Sequence, residues 1–215
     1  IPYILVESDR MALALLGCNF YGHPAKSMKM VGVTGTNGKT SVTLLLKQVL
    51  EKSLGAKVGL IGTMANMVVD EVIPTERTTP ESFELQGLFA RMRDAGCSYA
   101  VMEVSSHAIA LERVGGVHYQ VAAFTNLTED HLDFHKTMEE YAAAKEWLFG
   151  KSDFGVFCTD DDYLHSSHDT RYVYIMAKEM GSDAELTSGI VVCTTGLSMI
   201  TLFLGLFLLK TFGLC

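Results

Sequence analysis

The sequence predicts an α/β fold, a mostly parallel sheet flanked by helices. Two observations carry that expectation. Short apolar runs alternate with segments of helical period. The helical segments are about 10–15 residues long, the length that βαβ crossovers use. Composition agrees: 48% of residues are hydrophobic and 20% charged, ordinary for a chain that buries a core and unlike a disordered or collagen-like one. At 215 residues the chain has room for one domain and a piece of a second.

The elements follow in order. Tyr3–Val6 predicts a short strand and Asp9–Leu16 a helix, with Gly22-His23-Pro24 breaking the chain. Met28–Thr34 reads as a buried strand running into glycines. Thr40–Leu54 has helical period, with Val42, Leu45, Leu46, Val49 and Leu50 expected on one face. Val58–Ile61 predicts a strand, and Met67–Ile73 another that Pro74 ends. Pro80–Ala95 opens on Pro-Glu-Ser and predicts an amphipathic helix. Tyr99–Val104 and Val121–Phe124 read as strands, Thr137–Phe149 as a helix, and Phe154–Cys158 and Tyr172–Ile175 as further strands. Ligand-binding groups of a parallel sheet collect at the carboxyl ends of its strands.

Lys+Arg total 17 against 25 Asp+Glu, so the net charge is 17 − 25 = −8. With no basic block, this argues against nucleic-acid binding but leaves room for a nucleotide, whose phosphates need only a few local donors. Cys18, Cys97, Cys158, Cys193 and Cys215 are odd in number and widely spaced, with no C-x-x-C. Zinc-ribbon and disulfide-scaffold readings fail, and reduced thiols in a cytoplasmic protein are expected. The N-terminus has neither an initiator Met nor a signal sequence, and reads as the inside of a strand of a longer protein. From Leu186 to Leu209 no residue is charged. That run reads as strands of a core or of an incomplete sheet; a membrane segment and a reading-frame artefact are the alternatives.

Gly32-Val33-Thr34-Gly35-Thr36-Asn37-Gly38-Lys39-Thr40-Ser41 lies between a predicted strand and a predicted helix. Counted from Val33 it is a close variant of the G-x(4)-G-K-[ST] phosphate loop. Backbone N–H groups around Thr36–Lys39 are expected to wrap a phosphate, helped by the N-terminus of the following helix. Gly35 and Gly38 permit the backbone angles of such a nest. Lys39 would neutralise phosphate oxygens and the Thr40 hydroxyl would ligate Mg²⁺. The bland alternative is a glycine turn capping a helix.

Glu103 lies at the end of the apolar strand expected over Tyr99–Val104 and reads as a Mg²⁺ ligand or as a solvated strand-end carboxylate. Ser105 and Ser106 either bind a polar substrate or cap the next turn. His131 and His135 are four apart, but Leu132 breaks the H-E-x-x-H pattern. Oxygen-rich surroundings suit Mg²⁺ better than Zn²⁺. His131 then completes a Mg²⁺ shell or is a plain loop histidine. Lys145, beside Glu146, reads by itself as a solvated helix lysine.

GVTGTNGKTS (Gly32–Ser41), RTTPES (Arg77–Ser82), MEVSSHA (Met102–Ala108) and TNLTEDHLDFH (Thr125–His135) with YAAAK (Tyr141–Lys145) occur in that order. Together they resemble the Mur ligases, closest to the branch that makes the UDP-muramoyl-tripeptide, over roughly residues 3–165. The resemblance implies a P-loop-type central domain using ATP and Mg²⁺. It places Gly35, Thr36, Asn37, Gly38, Lys39, Thr40 and Ser41 on ATP, with Thr40 at the first Mg²⁺. Glu103 and His131 look like ligands of the second. Lys145 matches the lysine that this family carbamylates and, with Lys39, serves catalysis. Thr78, Thr79, Ser105 and Arg113 match positions that hold the UDP-muramoyl-peptide. The implied reaction adds an amino acid to UDP-N-acetylmuramoyl-L-Ala-D-Glu through an acyl phosphate, in a monomeric cytoplasmic enzyme without nucleic-acid or membrane partners. Residues 1–25 are then the end of a UDP-binding domain, 26–185 the central domain, and 186–215 an incomplete β-rich extension. The C-terminal ligase domain has no counterpart in the chain, which by itself is expected to be inactive. Three residues depart from the family pattern: Leu111 stands where some relatives use Gln, Lys136 where glycine is usual and Cys158 where asparagine is common. A folylpolyglutamate-synthetase-like ligase and a non-catalytic nucleotide-binding fragment are the alternatives, and RTTPES with DHLDFH favours the muramoyl substrate.

Overall fold

The computed structural model describes residues 5–130 and 132–157. Helix α1 (Asp9–Phe20) precedes strand β1 (Lys29–Thr34) and helix α2 (Lys39–Leu54). Strand β2 (Val58–Ile61) and the short strands β3 (Asn66–Val68) and β4 (Glu71–Ile73) follow, then α3 (Ser82–Asp94), β5 (Tyr99–Glu103) and α4 (Ser106–Ala110). Strand β6 (Tyr119–Phe124), helices α5 (Leu132–His135) and α6 (Met138–Glu146) and strand β7 (Ser152–Phe157) complete them. One sheet runs β4-β3-β2-β5-β1-β6-β7. β2, β5, β1, β6 and β7 are parallel, and β3 and β4 add an antiparallel hairpin beside β2.

The inner parallel strands β2 and β5 are buried, which explains their near-continuous apolar runs, whereas Phe154 and Val156 of the outermost strand β7 are half exposed. Ala100, Val101 and Met102 of β5 are fully buried. Val58, Leu60 and Val101 form a core that Leu44, Leu46 and Leu50 of α2 pack against. On β1, Gly32 admits Tyr119, since a Cβ there would lie 2.9 Å from its ring. Chain order reverses about β1: β2 and β5 lie on one side, β6 and β7 on the other. In such sheets the crevice at the reversal is where ligands bind.

Several expectations change. α2 turns a different face to the sheet. Thr43 and Lys47 are buried, whereas Leu45 and Val49 are 60% and 56% exposed. Lys47 is buried and pairs its ammonium with Glu51 one turn on. Met67–Ile73 is a hairpin rather than one strand, turning at Val69 (φ 57°) and Asp70. α1 runs four residues beyond its expected end, and α6 stops at Glu146, before a 3₁₀ turn at Phe149–Lys151. Leu5 and Val6, the described part of the first expected strand, lie outside any strand. Cys18 and Cys97 are buried free thiols, as expected. Tyr172–Ile175, residues 186–215, Cys158, Cys193, Cys215 and His131 lie outside the described residues. Among the described residues no helix is long and apolar enough to cross a membrane.

Candidate functional site

The phosphate-loop sequence leaves β1 and enters α2 where the chain order reverses. Gly35 (φ 132°) and Gly38 (φ 84°) take left-handed angles, as the nest requires. A Cβ on Gly35 would lie 2.0 Å from Thr125 Oγ1, so no side chain fits there. Gly38 is the N-cap of α2 and has no side-chain cap. The first-turn N–H groups of α2 thus face the crevice without intrahelical partners. Two of the loop N–H groups ahead of them are already engaged. Thr36 N–H donates to Asn126 O and Asn37 N–H to Asn126 Oδ1, both at 2.9 Å. Asn126 Nδ2 and Thr125 Oγ1 donate to Asn37 O at 3.1 and 2.6 Å. The nest expected over Thr36–Lys39 is therefore narrower, because the end of β6 holds two of its donors.

Glu103 is 1% exposed, which overturns the solvated strand-end reading. It lies beside Val33 in the β5–β1 register, which brings it to the loop. Its Oε2 accepts from Thr40 Oγ1 at 3.0 Å. Thr63, just past β2, donates its N–H to Oε1 at 2.9 Å and lies 3.0 Å from Oε2 through Oγ1. A Cβ on Gly62 would come within 2.6 Å of Oε1, so glycine makes room for the carboxylate.

Lys145 is also 1% exposed and is not a solvated helix lysine. α6 is capped by Thr137, whose hydroxyl accepts from Glu140 N–H. It lays Lys145 under the loop, where Nζ donates to Gly35 O at 2.9 Å and sits 4.3 Å from the Tyr141 ring. Lys39 Nζ donates to the same carbonyl at 2.9 Å and to Thr36 O at 2.8 Å. Burial, and then the nearby Lys39 charge, hold the Lys145 ammonium down to about 7, with Asp130 opposing. Burial also lowers Lys39, against the pull of Glu103 and Asp130. Tyr141 OH lies 3.2 Å from Thr36 Oγ1, which ties α6 to the loop.

RTTPES lies along the same edge. Thr78 Oγ1 is 3.0 Å from Thr63 Oγ1. Thr79 is buried, donating to Glu103 O at 2.9 Å and accepting from Ser105 N–H at 3.2 Å. Ser105 caps α4, accepting from Ala108 N–H. Arg113 pairs with Glu81 at 2.9 Å, and its buried Nε has no hydrogen-bond partner among the described residues. Arg77 and Arg10 reach the same carboxylate at 3.5 and 3.9 Å. Among the described residues no three His, Cys, Asp or Glu side chains form a metal-ligating set. Ser41 is exposed at the head of α2.

Residues 33–202 match the Mur ligase middle domain. The chain belongs to the Mur ligase family. It is 46% identical over 192 residues to the UDP-N-acetylmuramoyl-L-alanyl-D-glutamate–2,6-diaminopimelate ligase of Caldanaerobacter subterraneus, covering 84% of this chain and 40% of that protein. To the ligase of the same name from Clostridium botulinum it is 52% identical over 160 residues, covering 74% and 33%. The chain thus spans 40% or less of the length of these relatives. A solved ligase of that name superposes with a TM-score of 0.63 at 24% identity, covering 81% of this chain and 35% of the other. The apo folylpolyglutamate synthetase of L. casei does so at 0.60 and 20% identity, covering 84% and 50%. Both likenesses show the fold alone. Within this Mur ligase domain, sequence reasoning assigned no role to Gly62, Thr63, Asn126 or Tyr141. Gly62-Thr63 follows a predicted strand, so the strand-end rule was its available signal; Asn126 and Tyr141 sat unassigned inside quoted motifs.

Proposed function

We propose that this chain carries the ATP-binding part of an ATP-dependent acid–amino-acid ligase acting on UDP-N-acetylmuramoyl-L-alanyl-D-glutamate in peptidoglycan synthesis, in the cytoplasm. The relatives' names give the added amine as 2,6-diaminopimelate, and we assign no residue of this chain to it. One observation carries the reading: Lys39 and Lys145 both converge on the Gly35 carbonyl. Lys39 brings positive charge to this loop, suited to an anion as highly charged as a triphosphate, and Lys145, lowered to about 7, brings a largely neutral amine beside it. We assign residues 26–185 to this central domain and 1–25 to the end of a preceding UDP-binding domain.

In this reading Gly35–Ser41 hold the nucleotide, with Lys39 setting its charge against phosphate oxygens. Thr40 and Glu103 would hold Mg²⁺, with His131 as a further ligand. The donor set fits: both are hard oxygens, 3.0 Å apart, near the ~2.9 Å edge of an octahedron with Mg–O bonds of about 2.0–2.1 Å. The ion, when bound, supplies charge neutralisation between phosphate and substrate carboxylate. Arg113 offers donors and Thr78 its hydroxyl oxygen to the muramoyl-peptide, while Thr79 and Ser105 shape that edge through backbone contacts. Lys145 is the lysine we propose to be carbamylated. Its neutral nitrogen attacks carbon dioxide, an N–C bond forms, one C=O bond opens to O⁻, and the nitrogen's proton leaves to water. A pKa near 7 keeps much of the amine neutral at physiological pH. Titrating ATP into the chain and into Lys39→Ala, at matched salt and Mg²⁺, tests the reading. The expected loss is at least about 1.5 kcal/mol, the scale of a charge-assisted contact. Superimposable titration curves would remove the phosphate loop from the proposal.

A further inference from the structure

We infer that Thr63 is a positioning residue that holds the Glu103 carboxylate for Mg²⁺ and links it to Thr78 through one directed hydroxyl chain. The inference rests on the proposed role of Glu103. Thr63 makes two contacts with that carboxylate: its N–H to Oε1 at 2.9 Å, and its hydroxyl 3.0 Å from Oε2. A carboxylate pinned at both oxygens cannot rotate about its terminal torsion. Its orientation toward Thr40 is then set before any ion arrives. Gly62 completes the seat, since any side chain there would strike Oε1.

The hydroxyl geometry also fixes a direction. Thr63 Oγ1 is 3.0 Å from both Glu103 Oε2 and Thr78 Oγ1, yet a threonine hydroxyl has one proton. A carboxylate accepts and never donates when ionised, and a bond to it is stronger than one to a neutral hydroxyl. Thr63 therefore gives its proton to Glu103, and Thr78 donates to Thr63. The chain Thr78 → Thr63 → Glu103 leaves the Thr78 oxygen with its lone pairs open as acceptors on the RTTPES edge. Thr78 and the carboxylate are thereby joined through one side chain that touches neither nucleotide nor peptide in the proposed roles.

The test is the Mg²⁺ dependence of AMPPCP binding by this chain, read as the ratio of affinities with and without Mg²⁺. Thr63→Val keeps the shape and removes the hydroxyl; Thr63→Ser restores it. Thr63→Val should lower the Mg²⁺ enhancement about tenfold or more, the usual effect of removing a ligand's hydrogen-bonded support. Binding without Mg²⁺ should stay unchanged, and Thr63→Ser should recover most of the enhancement. A merely structural role would lower both affinities together and would shift thermal unfolding, which is measured alongside. Glu103→Gln separates the two levels. If it abolishes the enhancement while Thr63→Val does not, Thr63 has no positioning role and the Glu103 reading stands. If Glu103→Gln leaves the enhancement intact, the Glu103 reading fails and the inference falls with it.

Discussion

Lys145 has an ordinary ammonium value of 10.5 that burial and Lys39 bring to about 7. Between those values the unfolded chain binds more protons at this site than the folded one. Stability contributed by the site therefore rises with pH from about 7 to 10.5, by up to about 1.4 kcal/mol per unit. Below about 7 both states are protonated and the burial penalty is constant. Lys145→Met removes the titration. In buffer free of carbon dioxide, urea unfolding at pH 7.5 and 9.5 should show wild type gaining on the variant at the higher pH. A constant difference would mean that the amine titrates as in water. With isotope-labelled bicarbonate, wild type should give a carbamate carbonyl signal that Lys145→Met lacks. At Gly35, alanine meets both a left-handed backbone and Thr125 Oγ1 at 2.0 Å. Gly35→Ala should cost about 1–3 kcal/mol of stability, again read by urea unfolding.

Helix α2 separates the residues that hold the fold from those that only look as though they do. Leu46→Ala and Leu50→Ala, which empty contacts with the Val58, Leu60 and Val101 core, should each cost about 1–2 kcal/mol. Leu45→Ala and Val49→Ala, on the exposed side, should stay within about 0.5 kcal/mol. Equal losses at all four sites would mean that the exposed side is covered in solution. The sequence could not choose between these faces, because α2 carries leucines around most of its circumference while its most buried positions are Thr43 and Lys47. β1, β2 and β5 were legible for the opposite reason, since strands covered on both faces read as unbroken apolar runs. The β3–β4 hairpin was hidden because its turn places a β-branched valine at φ 57°, where glycine or asparagine would have signalled it. Lys39, Thr40 and Glu103 were legible from their places at strand ends. The burial of Lys145 was not, because it depends on where α6 lies over a loop more than a hundred residues earlier in the chain.

For the whole molecule, the proposed nucleotide binding couples to folding through one equilibrium. ATP at about one hundred times its Kd stabilises the folded state by about 2.7 kcal/mol, which for a chain of this size raises the melting temperature by about 5–10 °C. Lys39→Ala at the same ATP concentration should show a much smaller rise, and an equal rise in both proteins would place the nucleotide elsewhere. The contacts of Asn126 with Thr36 and Asn37 join the ends of two neighbouring parallel strands. Their consequence is one of timing. The amides of Thr36 and Asn37 should resist deuterium exchange although they sit in a glycine loop, and the two should exchange together, since one opening of the β6 end frees both. Asn126→Ala should release Asn37 first, because its partner is the side chain, while Thr36, held by the backbone carbonyl, stays protected. The loop proposed to receive the phosphates would then have no independent clock: it opens at the rate at which the neighbouring strand end lets go.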